Sequence, residues 1–276
     1  MSIDQKVFDK KYYLNVCLGS EEFRKSGGLL LHPSVKELID RLPLTPGMNV
    51  LEIGCGRGDI ALHIAKKVNS IVATDYSVAA IEIAKQIFHR YPKKIQSKTR
   101  FYVSNATQLL FKDDAFDAVI FIDTIDHLSK KEVEIVLGKI SKVLKKDGFL
   151  FIRTCSNRIL LDYVYNYYTY PINRIVTWVD KKIKRVEYAS LPKDSRTKDA
   201  KRQHINEPDY HYLKQILKIH GFEGEIKAEI GELKEIKGIR SKIYNFAIAL
   251  YPLSKYYPLK ILFASSFVCL LYNRRI

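Results

Sequence analysis

The residues best suited to chemistry follow a short apolar run near the start of the chain. Residues 50–53 have the pattern of a buried strand, and Gly54, Gly56 and Gly58 come directly after it. Glycines between a strand and a helix allow an unusual turn and leave room for a ligand to approach the backbone. Asp75 ends the next predicted strand. Because ligands bind at the carboxyl ends of parallel strands, we expect one ligand to contact both features.

Two classes of ligand compete for this turn. A dinucleotide site needs the spacing G-x-G-x-x-G, but Asp59 stands where the third glycine belongs. A carboxylate beside a pyrophosphate would be electrostatically costly. Glu52, at the end of the strand, adds a second acid. The turn therefore favours a cationic ligand of the amino-acid type.

The run VLEIGCGRGD resembles the first motif of the class I S-adenosylmethionine-dependent methyltransferases. The resemblance continues in order: Asp75 matches the acid that contacts the ribose hydroxyls, and Asn105 with Ala106 matches an Asp-Ala pair beside the adenine. Residues 110–117, 123–128 and 143–150 resemble three further segments of the family. Asn105 departs from the family's acid, so we expect weaker adenine binding.

The resemblance implies a complete cofactor site. The cofactor would be S-adenosylmethionine, converted to S-adenosylhomocysteine, with no metal. The implied cofactor-binding residues are Glu52, Gly54, Cys55, Gly56, Gly58, Asp75, Tyr76, Asn105, Ala106, Ile122 and Asp123.

A base would assist transfer to a hydroxyl or phenol. His127, after the fourth predicted strand, is the first candidate, His204 the second, and Asp126 a third. We expect Asp123 and Asp126 to line the same mouth. The alternatives remain open, since His127 could instead cap or pack under the following helix and His204 could be an exposed loop residue.

The elements that must position these residues alternate between strands and helices from residue 49 to residue 152. This pattern predicts an α/β fold, a Rossmann-like doubly wound and mostly parallel sheet with a closing antiparallel strand and a helical, basic insertion. We expect an N-terminal helical lid (1–40), a cofactor-binding core (41–155), a basic, tyrosine-rich insertion on the acceptor side (156–206) and a C-terminal part that completes the sheet (207–276).

The same patterns predict where several helices and strands begin and end. Within the insertion, residues 159–180 have helical spacing and residues 181–204 read as a loop or lid. Residues 207–209 open a helix with Pro208 in its first turn, residues 222–236 read as a strand, and residues 263–271 read as the final strand.

The net charge of +16 is concentrated in the insertion. Residues 153–206 carry 12 Lys or Arg and 5 Asp or Glu. Three readings remain: transfer to a small-molecule or lipid-linked acceptor by O- or C-methylation, an RNA methyltransferase that binds phosphates through the insertion, or a nonenzymatic cofactor-binding subunit. We favour the first. The basic residues considered for a phosphate face are Arg174, Lys181, Lys182, Lys184, Arg185, Lys198, Lys201 and Arg202.

The sequence also bears on the compartment. The four cysteines are far apart and lack metal-ligand spacing, so neither a disulfide framework nor a zinc site is expected. The N-terminus lacks the pattern of a signal peptide, which predicts a cytoplasmic protein. Residues 261–272 are uncharged but too short to cross a bilayer. The C-terminal segment from residue 243 to 272 resembles an interfacial element, so peripheral membrane contact is possible.

Overall fold

Seven strands form one mixed sheet in the computed structural model, which describes residues 7–184, 192–231 and 239–275. The strand order is β3-β2-β1-β4-β5-β7-β6. Strands β1 to β5 are parallel, and β7 is antiparallel to both β5 and β6. The predicted α/β fold with a closing antiparallel strand is confirmed. The strands are β1 (Asn49–Ile53), β2 (Ser70–Asp75), β3 (Thr99–Val103), β4 (Phe116–Ile122), β5 (Leu144–Arg153), β6 (Phe222–Glu229) and β7 (Ser266–Asn273).

Helices connect these strands. The α-helices are α1 (Ser20–Ser26), α2 (Pro33–Arg41), α3 (Asp59–Ile64), α4 (Val78–Phe88), α5 (Lys93–Lys98), α6 (Lys130–Val143), α7 (Tyr170–Lys184), α8 (Lys198–Gln203), α9 (Tyr210–Ile219), α10 (Ile239–Ala249) and α11 (Leu259–Leu262). Two further segments, Tyr12–Val16 and Ile159–Thr169, are wound as π-helices. No helix among the described residues is both long and apolar enough to span a membrane.

Alternate strand residues enter two cores, one on each face of the sheet. Val50 of β1 and Ile120 of β4 pack on the face covered by α2, α3 and α4. Leu51 and Phe121 pack on the opposite face, under α6 and α9. Because both faces are covered, the strands are continuous apolar runs, as buried parallel strands require.

Helix α6 begins immediately after the segment that follows β4. The Ser129 hydroxyl accepts the backbone N–H of Glu132 at 3.3 Å, and the Glu132 carboxylate accepts the Ser129 N–H at 2.8 Å. This capping box defines where the helix begins. It thereby fixes the short segment that carries the candidate base.

Three predicted bounds are wrong. The final strand begins at Ser266, because Phe263 still ends the turn of α11 and Ser266 is the residue that pairs with Glu229. Strand β6 ends at Glu229, and residues 232–236 of the predicted strand lie outside the described residues. Helix α9 begins at Tyr210, since the Asp209 side chain caps it by accepting the Tyr212 N–H at 3.0 Å.

The predicted loop at residues 181–204 is partly helical. Helix α7 continues to Lys184, and α8 occupies Lys198–Gln203, where the Thr197 hydroxyl accepts the Ala200 N–H at 3.0 Å. Residues 185–191, including Arg185, lie outside the described residues. Residues 198–203 of the predicted loop are therefore helical.

Candidate active site

A cavity of about 460 Å³ opens at the carboxyl ends of β1, β2 and β4. The chain leaves β1 toward β2 on one side and later returns with β4 on the other, so neighbouring loops diverge here. The N-terminal segment, the end of β5 with Arg153 and Cys155, and helix α8 complete the walls. The cavity therefore has the predicted location.

The glycine turn forms one wall. Gly54, Gly56 and Gly58 all have positive φ angles, of 73°, 50° and 75°. A Cβ on Gly54 would lie 2.2 Å from the Thr124 hydroxyl, and Gly54 and Gly56 both line the cavity. Gly58 does not line it, because it faces the hydrophobic core. This glycine is needed for helix packing rather than for ligand contact.

Asp75 lies at the end of β2, facing the same cavity. One carboxylate oxygen accepts the Gly56 N–H at 2.9 Å, and the other accepts the Ser77 N–H at 2.9 Å and the Tyr13 hydroxyl at 3.4 Å. Burial raises the pKa of Asp75, although the two backbone N–H groups oppose this effect. Asp75 thus links the glycine turn to the next strand and to the N-terminal segment.

Glu52 was expected among the cofactor-binding residues, but it does not reach the cavity. Its side chain is buried beneath the glycine turn and does not line the cavity. Its Oε2 atom has no hydrogen-bond partner among the described residues, and burial raises the pKa of this carboxyl well above its ordinary value. The strand alternation explains this, because Glu52 lies on the same face of the sheet as Val50, whereas Ile53 lies on the other face and borders the cavity.

The remaining predicted cofactor residues border the cavity: Cys55, Tyr76, Asn105, Ala106, Ile122 and Asp123. Asn105 caps the turn Ala106–Gln108, since its side-chain oxygen accepts both the N–H and the hydroxyl of Thr107 at 2.9 Å. That oxygen is therefore already engaged within the protein. A ligand would meet the amide nitrogen more readily.

Asp123 is held in a left-handed conformation, with φ of 48°. Its Oδ2 atom accepts a hydrogen bond from Arg153 at 3.0 Å, and its Oδ1 atom is buried without a partner among the described residues. Burial raises the pKa of Asp123, and the Arg153 guanidinium opposes the shift. Both residues line the cavity between the ends of β4 and β5.

The two predicted histidines lie side by side, although they are 77 positions apart in the chain. His127 Nδ1 lies 2.9 Å from the Gln203 carbonyl oxygen. Because a carbonyl only accepts, Nδ1 carries the proton and Nε2 keeps its lone pair. The His204 ring lies 5.3 Å from the His127 ring, and His204 Nε2 lies 3.6 Å from Cys155 Sγ. Burial lowers the pKa of His127 to about 4 and also lowers that of His204.

Asp126 does not line the cavity, contrary to expectation. It is fully buried, and its carboxylate accepts the Ser156 hydroxyl at 2.6 Å and the Cys155 N–H at 3.1 Å. Its backbone carbonyl accepts the N–H groups of Ile205 and Asn206. Burial raises the pKa of Asp126 to about 7. Asp126 thus fastens the segment after α8 to the end of β4.

Arg57 and the tyrosines of the N-terminal π-helix also shape the site, and the sequence analysis did not identify them. The buried Arg57 side chain donates to the carbonyls of Tyr13 at 3.1 Å and Leu18 at 2.7 Å and pairs with Asp59 at 3.2 Å. Its charge within the glycine turn was the one signal available. Tyr12 and Tyr13 had none, because only the fold brings them to the cavity.

The basic residues of the insertion are mostly turned away from the cavity. Helix α8 contributes Asp199, Ala200 and Gln203 to the wall, together with its N-cap Thr197, whereas Lys198, Lys201 and Arg202 do not line it. Lys201 pairs with Asp194 at 2.8 Å. On the α8 side, the cavity therefore meets neutral and acidic groups rather than a phosphate-binding face.

Comparisons with known proteins agree with this geometry. The sequence profile of a family described as "Methyltransferase domain" matches residues 44–199. The chain is 31% identical to phosphoethanolamine N-methyltransferase 3 of Arabidopsis thaliana over 48% of the chain and 25% of that protein. It is 32% identical to the ubiquinone biosynthesis O-methyltransferase of Pelagibacter ubique over 43% of the chain and 46% of that protein. The chain thus spans less than half the length of either curated relative.

A solved structure extends the likeness to most of the chain. The S-adenosylmethionine-dependent methyltransferase of Methanosarcina mazei has a TM-score of 0.51 and 20% identity. The match covers 88% of this chain and 97% of that one. At this identity the likeness shows a shared fold.

Proposed function

Because this chain belongs to the class I S-adenosylmethionine-dependent methyltransferase domain family, we propose that it methylates an oxygen or carbon atom of a small or lipid-linked acceptor. One observation carries the proposal. A single cavity is lined both by the glycine turn with Asp75 and by His127 with His204. One enclosed space can therefore hold a methyl donor and an acceptor together, which is the main requirement of the reaction.

The residues present fit S-adenosylmethionine. Gly54 and Gly56 leave a cradle without side chains, and the backbone there has the positive φ angles that glycine tolerates. Asp75 presents a buried carboxylate, a suitable acceptor for ribose hydroxyls. The cradle and Asp75 would hold the nucleoside and the amino-acid part, with Asp123 close by. The bound cofactor would supply an activated methyl group on its sulfonium.

The protein's own contribution is to orient the acceptor, exclude water and receive a proton. His127 is neutral at physiological pH because burial lowers its pKa to about 4, and its Nε2 lone pair is available. A base this weak accepts the proton of the acceptor hydroxyl while the oxygen attacks the methyl group, and does not remove that proton beforehand. The ring cannot turn freely, since Nδ1 is hydrogen bonded to the Gln203 carbonyl. His204 is the second candidate for this role.

The chemistry of the walls favours an apolar acceptor over RNA. Phe8, Tyr12, Val16 and Leu128 are among the lining residues, while the lysines of α8 face elsewhere. An RNA substrate would need cations beside the mouth to bind its phosphates. The Pelagibacter ubique relative is named as an O-methyltransferase of ubiquinone biosynthesis, which supports an oxygen atom of a quinone-type acceptor.

A thermal-shift comparison tests the cofactor. A ligand that binds only the native state stabilises it, by about 2.7 kcal/mol at a hundredfold excess over Kd. We expect S-adenosylhomocysteine to raise the melting temperature and NAD to leave it unchanged. Stabilisation by NAD without stabilisation by S-adenosylhomocysteine would refute the assignment.

A radiolabel experiment tests the acceptor class. The protein is incubated with S-adenosylmethionine carrying a labelled methyl group and with lipid, water-soluble or RNA fractions in separate reactions. We expect acid-stable label in the lipid fraction, and label in RNA alone would contradict the proposal. The Asp75→Asn variant serves as the control for label that does not depend on the site.

A further inference from the structure

Helices α7 and α10 carry buried polar side chains and exposed apolar side chains. The two helices pack against each other, and at their contact the Asn173 side chain donates to the Tyr244 hydroxyl at 2.7 Å. Asn173 and Asn245 are both buried. A polar contact thus lies between the two helices, where apolar side chains are the norm.

The apolar side chains of α7 face outward instead. Ile175 and Trp178 are 58% and 61% exposed, and Val179 lies beside them. Their spacing of three and four positions places them on one side of the helix. Helix α7 therefore presents an apolar stripe with the chain's single tryptophan at its centre.

Helix α10 repeats the arrangement. Ile243 is 62% exposed and Phe246 is 49% exposed, three positions apart on one side of the helix. The turn that follows exposes Leu253, Tyr256 and Tyr257. We call the exposed side chains Ile175, Trp178, Val179, Ile243 and Phe246 the apolar ridge.

Cations flank the ridge. Arg174, Lys181, Lys182 and Lys242 are exposed. Among the described residues, none of the four forms an ion pair with a carboxylate. Aromatic and aliphatic side chains bordered by exposed cations are the composition of an element that lies in the interface of an anionic bilayer.

We propose that the apolar ridge docks this protein on the surface of an anionic membrane. A bilayer satisfies both features at once, because its hydrocarbon boundary takes the apolar stripe and its headgroups take the cations. Tryptophan is the residue most typical of that boundary. A soluble protein partner would need a complementary acidic and apolar face, and RNA would leave the ridge exposed to water.

The position of the ridge in the fold connects it to the site. The π-helix Ile159–Thr169 that leads into α7 is tied to the segment before α8 by two contacts. Tyr165 donates to the Pro192 carbonyl at 2.8 Å, and Arg196 pairs with Asp162 at 2.6 Å. Helix α8 itself lines the cavity. If the proposed function holds, docking would thus bring the cavity close to lipid-linked acceptors, but the docking itself does not depend on that function.

The single tryptophan allows a direct measurement on the full-length protein. Because Trp178 lies on the ridge, its fluorescence reports on this surface alone. We expect a blue shift and protection from aqueous quenchers on addition of phosphatidylcholine vesicles containing phosphatidylglycerol. Pure phosphatidylcholine should give a weaker change, and added salt should weaken the anionic response, because it screens the charges. An unchanged spectrum with both vesicles would overturn the proposal.

Matched variants test the residues by vesicle co-sedimentation. Ile175→Ser together with Trp178→Ser should lower the partition coefficient about tenfold or more, since a tenfold change corresponds to about 1.4 kcal/mol of lost apolar burial. Lys181→Gln and Lys182→Gln should each lower it about fivefold on anionic vesicles only. Ile219→Ser on α9 is the control, because Ile219 is 67% exposed but lies away from the ridge.

Binding of S-adenosylhomocysteine separates this proposal from the proposed function. Variants of the ridge should bind it as the wild type does, which also shows that they are folded. Vesicle binding without S-adenosylhomocysteine binding would refute the function and leave the ridge in place. The docking proposal would be overturned if the ridge variant and Ile219→Ser partitioned equally onto vesicles. It would also be overturned if the wild type bound no vesicles but formed a dimer that the ridge variant could not form.

Discussion

Replacing Asp75 with asparagine removes a negative charge and also places the side-chain NH₂ group, a donor, against a backbone N–H, which is a donor too. The two carboxylate oxygens accept different backbone N–H groups, from Gly56 and from Ser77, both at 2.9 Å. An asparagine amide can satisfy one of them in either orientation, but never both. The other N–H is left facing an NH₂ group inside the protein, where Asp75 is buried.

The expected cost follows from that single lost bond. An unsatisfied buried donor costs about 1–3 kcal/mol, so we expect unfolding to become easier by about 2 kcal/mol. For a domain of this size, this corresponds to a melting temperature lower by roughly 4–8 °C. Loss of the charged acceptor should also weaken S-adenosylhomocysteine binding by about 2 kcal/mol, or about 30-fold in Kd.

Urea unfolding and titration calorimetry measure the two effects separately. Asp113→Asn is the matched control, because Asp113 is an exposed carboxylate outside the cavity. That variant should match the wild type in both measurements. If Asp75→Asn unfolded at the wild-type urea concentration, the hydrogen-bond argument would be wrong. If it kept wild-type affinity for S-adenosylhomocysteine, Asp75 would not be part of the cofactor site.

Three further predictions follow from the same geometry. Gly58→Ala should destabilise the fold by about 1–3 kcal/mol, because its Cβ would lie 2.7 Å from Ala84 and Phe101 at a positive φ. Gly47→Ala is the control and should not destabilise the fold, because a Cβ there would have nothing within 4 Å. Equal urea midpoints for the two variants would contradict this prediction. Burial raises the pKa of Asp126 to about 7, so the folded state binds a proton that the unfolded state has released, and stability is lost as pH rises from the ordinary value of 3.8 toward 7. Relative to Asp126→Asn, the loss should reach about 4 kcal/mol, and parallel urea curves for the two proteins across this window would exclude it. His127→Gln should lower kcat at least about a hundredfold and leave S-adenosylhomocysteine affinity unchanged, as general-base assistance requires. Full turnover by this variant would show that His127 is not the base, and the same loss of kcat would then be expected for His204→Gln.

The sequence alone determined the architecture and the centre of the site, because both depend on local patterns. Continuous apolar runs such as Phe116–Ile122 specify strands buried on both faces, and helical spacing between them specifies the crossovers. The glycine turn could be located because glycine adopts the positive φ angles found at Gly54 and Gly56 without the steric cost that a Cβ brings. The predicted start of the final strand was wrong, because pairing with β6, and not local preference, decides that this strand begins at Ser266.

Only the tertiary structure decided which side chains reach the cavity. Glu52 and Asp126 have the residue type of ligand-binding acids, yet strand alternation buries one and the contacts of Ser156 and Cys155 enclose the other. Arg57 and Tyr13, in contrast, enter the site through the packing of the N-terminal segment. Such contacts join residues far apart in the chain, and the energies that select them come from packing and burial. No spacing in the sequence encodes them directly.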